Sequence, residues 1–201
     1  MAKTINGIEQ GRADFAYKCA NQTLLLKDFK YDNDNKTTNN ASFFTVSFKK
    51  KFEKDLKDNS LNNRILEDFL LNPSKDKDKK FEGFKKRLAE HYEKYGKEYK
   101  AYVKKTPMMV KTSGLGATLA FIMSKKKDGN AWALIYNQVD NWLKTSDNHY
   151  LINNKNGELS EIIIQLESGQ YRAVTNEVLA LFNWLRRFAE GLIEGDDLIQ
   201  E

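Results

Sequence analysis

Apolar side chains along this chain recur mostly at spacings of three and four, which is the period of an amphipathic helix. Residues 5–26 carry such a stripe in Ile8, Phe15, Cys19 and Leu26, with Ala16, Ala20 and Thr23 filling in. Residues 27–42 are rich in Asn, Asp and Thr, whose side chains compete for backbone hydrogen bonds, so this stretch reads as a loop. Residues 43–58 alternate like a strand at FFTVSF but continue at helical spacing. A lone strand would lack a partner, so helix is the reading. A short helix at 60–71 ends at Asn72-Pro73, and a solvated charge run fills 75–80.

Residues 81–105 predict a long helix. Phe84, Leu88, Tyr92, Tyr95, Tyr99 and Tyr102 form its stripe, and most of its lysines lie off it. Thr106-Pro107 is expected to break or kink the chain before Met108–Lys111 continues it. Ser113 is placed to cap a helix from about 114 to 126. Further helices are read at 131–144, 158–167 and 170–194, with a loop at 146–157 and a turn at Ser168-Gly169. The last carries a seam of Tyr171, Val174, Val178, Leu181, Leu185, Phe188 and Leu192. The fold class expected is all-α: an antiparallel bundle of about five to seven helices forming one domain over 1–201, with an extra segment inserted after the first helix.

Charge sharpens this picture. Residues 84–127 carry twelve basic and three acidic side chains, and residues 128–201 carry five basic and twelve acidic ones. A basic stretch attracts polyanions through phosphate contact, so Lys97, Lys100, Lys104, Lys105, Lys111, Lys125, Lys126 and Lys127 become candidate RNA contacts. Such contacts read no base, because lysine presents a point charge. Lys18, Arg172, Arg186 and Arg187 are candidates for contact with RNA or a neighbouring subunit. For Arg186 the competing reading is an i,i+4 pair with Glu190. The tyrosine stripe could stack bases, but helical spacing favours core packing with the hydroxyls reaching solvent.

Chemistry is harder to find. Neither His91 nor His149 has a second ligand at metal spacing, and no acidic motif suggests metal-assisted phosphoryl chemistry. Cys19 lies in an apolar stripe and reads as a buried, inert thiol. Gly114-Leu115-Gly116 lacks the strand and longer glycine pattern of a phosphate cradle. Two readings of it remain: close helix approach, or free amides that meet a phosphate beside Lys111. No enzymatic activity, cofactor or metal is expected. The single cysteine, the absence of an apolar signal core and the absence of a spanning segment fit a cytoplasmic protein away from membranes.

The segments IEQGRADFAYKCA, KEYKAYVKKTPMMVKTSGLGATLAF, AWALIYNQVDNWL and YRAVTNEVLALFNWLRRFAEGL, in this order, resemble the small helical subunit of type III-B CRISPR effector complexes, the Cmr complexes. The similarity covers about 5–26 and 97–194. The 27–83 stretch has no counterpart in that pattern. The resemblance implies a non-catalytic helical bundle whose copies stack inside a ribonucleoprotein. It also implies guide RNA, target RNA, other copies and other Cmr subunits as partners. Related readings are the small subunit of a type III-A or type I complex, and a protein-only helical adaptor.

Overall fold

A computed structural model describes residues 5–21, 23, 82–127, 130–145 and 147–195. The expected loop at 27–42, both helices read between 43 and 71, and the charge run at 75–80 lie outside the described residues. Among those residues there are six α-helices and no strand, so the all-α expectation holds. The helices are α1 (Ile5–Asn21), α2 (Glu82–Ser113), α3 (Leu115–Lys125), α4 (Ala131–Leu143), α5 (Leu159–Ile164) and α6 (Ser168–Leu192). A 3-10 turn, His149–Ile152, interrupts the expected loop between α4 and α5.

α6 packs against both α1 and α2, and α2 also packs against α3 and α4. Contacts along α2 and α6 run in reverse order. Gly96 faces Ile193, Lys104 faces Glu190, and Gly114 faces Tyr171, so the two helices are antiparallel. The seam of α6 is buried at Val174, Val178, Leu181, Leu185 and Ala189, with Phe182 beside it. Its partners in one cluster are Ala16 and Cys19 of α1, Tyr95, Tyr99, Val103 and Val110 of α2, and the apolar faces of α3, α4 and α5. α4 is buried almost all round, which explains its run of AWALIY. Asn130 caps it, accepting a hydrogen bond from the Ala133 amide at 2.9 Å.

Four boundaries differ from the sequence reading. α1 ends at Asn21 and Thr23 lies in a turn, where its hydroxyl donates to the Ala20 carbonyl at 2.6 Å. α2 is not broken at Pro107 but runs on to Ser113. Proline removes one i→i−4 bond there, yet both flanks are anchored in the core by Val103 and Val110, and Thr106 donates back to the Tyr102 carbonyl at 2.7 Å. The cap of α3 is Gly114 rather than Ser113, which is the last residue of α2. Gly114 has φ +84°, a left-handed turn of the backbone that a side chain would strain, and a Cβ there would meet the Tyr171 hydroxyl at 3.2 Å. Ser168-Gly169 is the first turn of α6, not a turn before it.

Candidate nucleic-acid interface

The lysines of α2 divide by their position around the helix. With about 100° per residue, Lys97, Lys100, Lys104 and Lys111 fall within one arc of roughly 60°. The first three of them meet the end of α6. Lys100 Nζ donates to the carbonyls of Ile193 at 3.2 Å and Gly195 at 3.0 Å, and Lys104 pairs with Glu190 at 3.8 Å. The stem of Lys97 lies so close to Gly195 that a Cβ there would meet its Cε at 2.5 Å. The physical cause is the unsatisfied carbonyls of a helix C-terminus, which favour a cation. The last turn of α6 has no basic residue of its own, so α2 supplies one.

Lys105 lies on the opposite flank of α2, one turn from Tyr102, and Lys111 lies further along the helix; both are exposed. Lys125, Lys126 and Lys127 are exposed at the end of α3. Their backbone is held by Asn130, whose Nδ2 donates to the Lys125 carbonyl at 2.7 Å and whose Oδ1 accepts from the Lys127 amide at 3.3 Å. Lys125 Nζ lies 5.9 Å from the Phe121 ring and Lys126 Nζ 4.3 Å from the Tyr136 ring. Among the described residues none of Lys105, Lys111, Lys125, Lys126 and Lys127 forms an ion pair.

Of the tyrosine stripe, Tyr95 and Tyr99 are core, as helical spacing favoured, but their hydroxyls do not reach solvent, and the side chain of Tyr92 lies outside the described residues. Tyr99 is fully buried, and its hydroxyl donates to Gln138 Oε1 at 2.8 Å. Burial, foremost, pushes its phenol well up. Tyr95 is also buried. Tyr102 is half-buried and stacks on Trp132, ring centres 4.0 Å apart and planes within 10°. Phe121 meets the same indole edge-on at 5.5 Å.

The remaining candidates also find places. Arg186 does not pair with Glu190, which turns to Lys104 instead. Among the described residues the exposed guanidinium of Arg186 has no partner. Arg187 lies over the Trp184 ring at 5.5 Å. Arg172 donates to the Ser168 carbonyl of its own first turn at 3.4 Å. Lys18 pairs with Asp14 at 2.8 Å on the exposed surface of α1. At the start of α3 the Gly116 amide donates to the Tyr171 hydroxyl at 2.9 Å. This supports the close-approach reading of the two glycines and leaves one amide fewer for a phosphate.

Sequence reading missed a polar clamp between α1 and α6. Arg12 donates bidentately to Glu177, Nε to Oε1 at 2.8 Å and Nη2 to Oε2 at 2.6 Å, and also to Glu9. Trp142 Nε1 donates to Glu177 at 3.0 Å, and Trp184 Nε1 donates to Glu9 at 2.8 Å. The hydrogen bond to Glu177 is the main influence raising the Arg12 pKa above its ordinary value. The missed signal was spacing: Glu9 and Arg12 stand seven and four residues before Ala16, on the buried stripe, where a charge must be paired. Ile8, read as part of that stripe, is 40% exposed.

Among the described residues no group of three His, Cys, Asp or Glu side chains is placed to hold a metal, and no helix is long and apolar enough to cross a membrane. Cys19 is buried, and desolvation pushes its thiol pKa far up, out of reach of a nucleophile's role. What is left is a helical scaffold with a cationic edge that forms no ion pair among the described residues.

That combination defines an all-helical protein with a basic face. The model of the family described as CRISPR-associated protein (Cas_Cmr5) matches residues 77–192, from just before α2 to the end of α6. The match covers more than half of the chain, and the chain belongs to the Cas_Cmr5 family. It is similar to the CRISPR system Cmr subunit Cmr5 of Thermus thermophilus, with 35% identity over 97 residues, which is 48% of this chain and 76% of that relative. The resemblance to the small helical subunit of Cmr complexes is thereby borne out.

Proposed function

We propose that this chain is the small structural subunit of a type III-B CRISPR ribonucleoprotein effector, non-catalytic, holding guide and target RNA by contacts that do not depend on base sequence. Membership of the Cas_Cmr5 family supports the subunit assignment and other Cmr subunits as partners. The observation that carries the RNA contact is the set Lys105, Lys111, Lys125, Lys126 and Lys127, exposed and without ion pairs among the described residues, within the stretch of twelve bases and three acids. Lys97, Lys100 and Lys104 face α6 and lend their charge from behind. The reading keeps one domain with an addition to the family pattern after the first helix, and that addition stops short of residue 77, where the family match begins.

Stacking of copies is part of the same reading. α6 is 25 residues, roughly 37 Å, long. Exposed Glu161 and Glu167 flank Ile164, itself 72% exposed, near its first end, and exposed Arg186 and Arg187 stand near its last. The exposed apolar side chain of Ile164 at one end and the two exposed arginines towards the other are the groups such a contact would use.

The test is binding of the full chain to a short single-stranded RNA across a salt series. If all five lysines meet phosphates, log affinity should fall against log salt with a slope of about −3.5, or roughly 100-fold between 50 and 200 mM. Each Lys→Gln change in the set should reduce the slope by about 0.7. Binding indifferent to salt, or absent at low salt, would remove the RNA contact from the reading.

A further inference from the structure

We propose that the half-buried rings of Tyr102 and Phe121, with Lys105, Lys125, Lys126 and Lys127 around them, form a site on which bases of a single-stranded RNA stack. This rests on the reading that the basic stretch meets RNA and carries it from phosphate contact to base contact.

Three observations support it. The first is the rings. Trp132 is buried, and it covers one face of Tyr102 at 4.0 Å in a near-parallel stack while Phe121 meets it edge-on at 5.5 Å. The exposure that Tyr102 retains therefore lies away from the indole, and a ring backed by a fixed indole is held ready for a planar ligand. The second is charge. Lys105 stands one turn from Tyr102 on the same flank of α2, and Lys125 stands one turn from Phe121 on α3. Lys126 and Lys127 follow directly. Glu98 stands one turn before Tyr102 on this flank and 4.0 Å from Lys94, so one carboxylate is set among these cations. The third is rigidity. Asn130 ties the backbone of Lys125 and Lys127 to the start of α4, the helix that carries Trp132, so cations and rings share one frame. A cationic rim around sequence-tolerant aromatic faces is the chemistry of a single-strand platform, whereas a duplex hides its base faces and offers phosphates only.

The experiment measures the affinity of the full chain, at one fixed salt concentration, for three probes of equal length. These are an oligouridylate, the same ribose-phosphate chain without bases, and an RNA duplex. The oligouridylate should bind roughly 5- to 100-fold more tightly than the abasic chain. In Tyr102→Leu and Phe121→Leu that ratio should fall towards one while affinity for the abasic chain stays unchanged, because no cation is lost. Tyr102→Phe keeps a ring and should keep the ratio. Circular dichroism checks each variant; if a leucine variant fails to fold, the base-against-abasic ratio of the unaltered chain and of Tyr102→Phe still decides. Equal affinity for abasic and base-bearing chains overturns the stacking site while leaving the phosphate reading intact. Loss of binding to all three probes at low salt overturns both. A ratio that survives both leucine changes places the bases elsewhere and also overturns the proposal.

Discussion

Arg12→Met is the sharpest test of how α1 is held to α6. Methionine keeps much of the stem and its packing but removes the guanidinium that donates twice to Glu177. The side chains are 15% and 11% exposed, so the pair is neither a surface bridge nor fully dry. Breaking a fully buried pair costs about 3–5 kcal/mol because one charge is stranded, and an exposed pair is worth about 0–1. Glu177 would keep its bond from Trp142 Nε1, which softens the loss. A destabilisation of about 2–3 kcal/mol follows, or roughly 4–12 °C in melting temperature for a chain of this size. Urea and thermal unfolding of Arg12→Met, Glu177→Gln and the double variant supply the cycle. The coupling energy should exceed about 1 kcal/mol. The exposed Lys18–Asp14 pair on the same helix serves as a control and should show almost none. A single variant within about 0.5 kcal/mol of the parent, or an additive double variant, would show that the clamp follows from helix docking and does not stabilise it.

Two further outcomes follow from the same helix. Glu9 is held below its ordinary pKa of 4.5, first by the Trp184 indole and then by Arg12. A depressed carboxylate stabilises the fold above its unfolded pKa and loses that contribution as pH falls through its folded value. Stability should therefore drop on acidification below about 4.5, and Glu9→Gln should flatten that part of a pH–stability curve; an unchanged curve would contradict it. Cys19 should resist iodoacetamide in the native chain and react only at the rate of unfolding, because burial keeps its thiol protonated. Rapid labelling under native conditions would place it at the surface.

Much of the fold was legible because period-3.6 patterns survive burial: the middle of the α6 seam and the extent of α4 appear in the structure as read. Errors gathered where tertiary contact overrides a local signal. Pro107 ordinarily ends a helix, but Val103 and Val110 fix both sides of it in the core, so the helix continues. Ser113 has the chemistry of a cap, yet the turn falls at Gly114, whose φ of +84° strains any side chain. Of the two readings left open for Arg186, the pair with Glu190 gives way, because Lys104 arrives from α2 and takes the glutamate.

The same logic explains why the candidate interface was legible as a set and not residue by residue. Periodicity alone does place Lys97, Lys100 and Lys104 on one arc of α2, and Lys105 on the other flank. It does not say what lies beyond each arc. The antiparallel passage of α6 decides that, because its final carbonyls draw in Lys100 and its Glu190 draws in Lys104. A lysine held this way keeps its charge but has fewer free donors and less freedom to follow a phosphate. A surface lysine with no ion pair gives up only hydration and side-chain entropy on contact. In the proposed RNA contact the cationic field of the whole stretch does the attracting, while engagement falls to the lysines that form no ion pair among the described residues. Charge-removing changes on the two arcs should separate on that basis: those at Lys105 or Lys125–Lys127 act on RNA affinity, and those at Lys100 or Lys104 act first on how tightly α6 stays closed at its end.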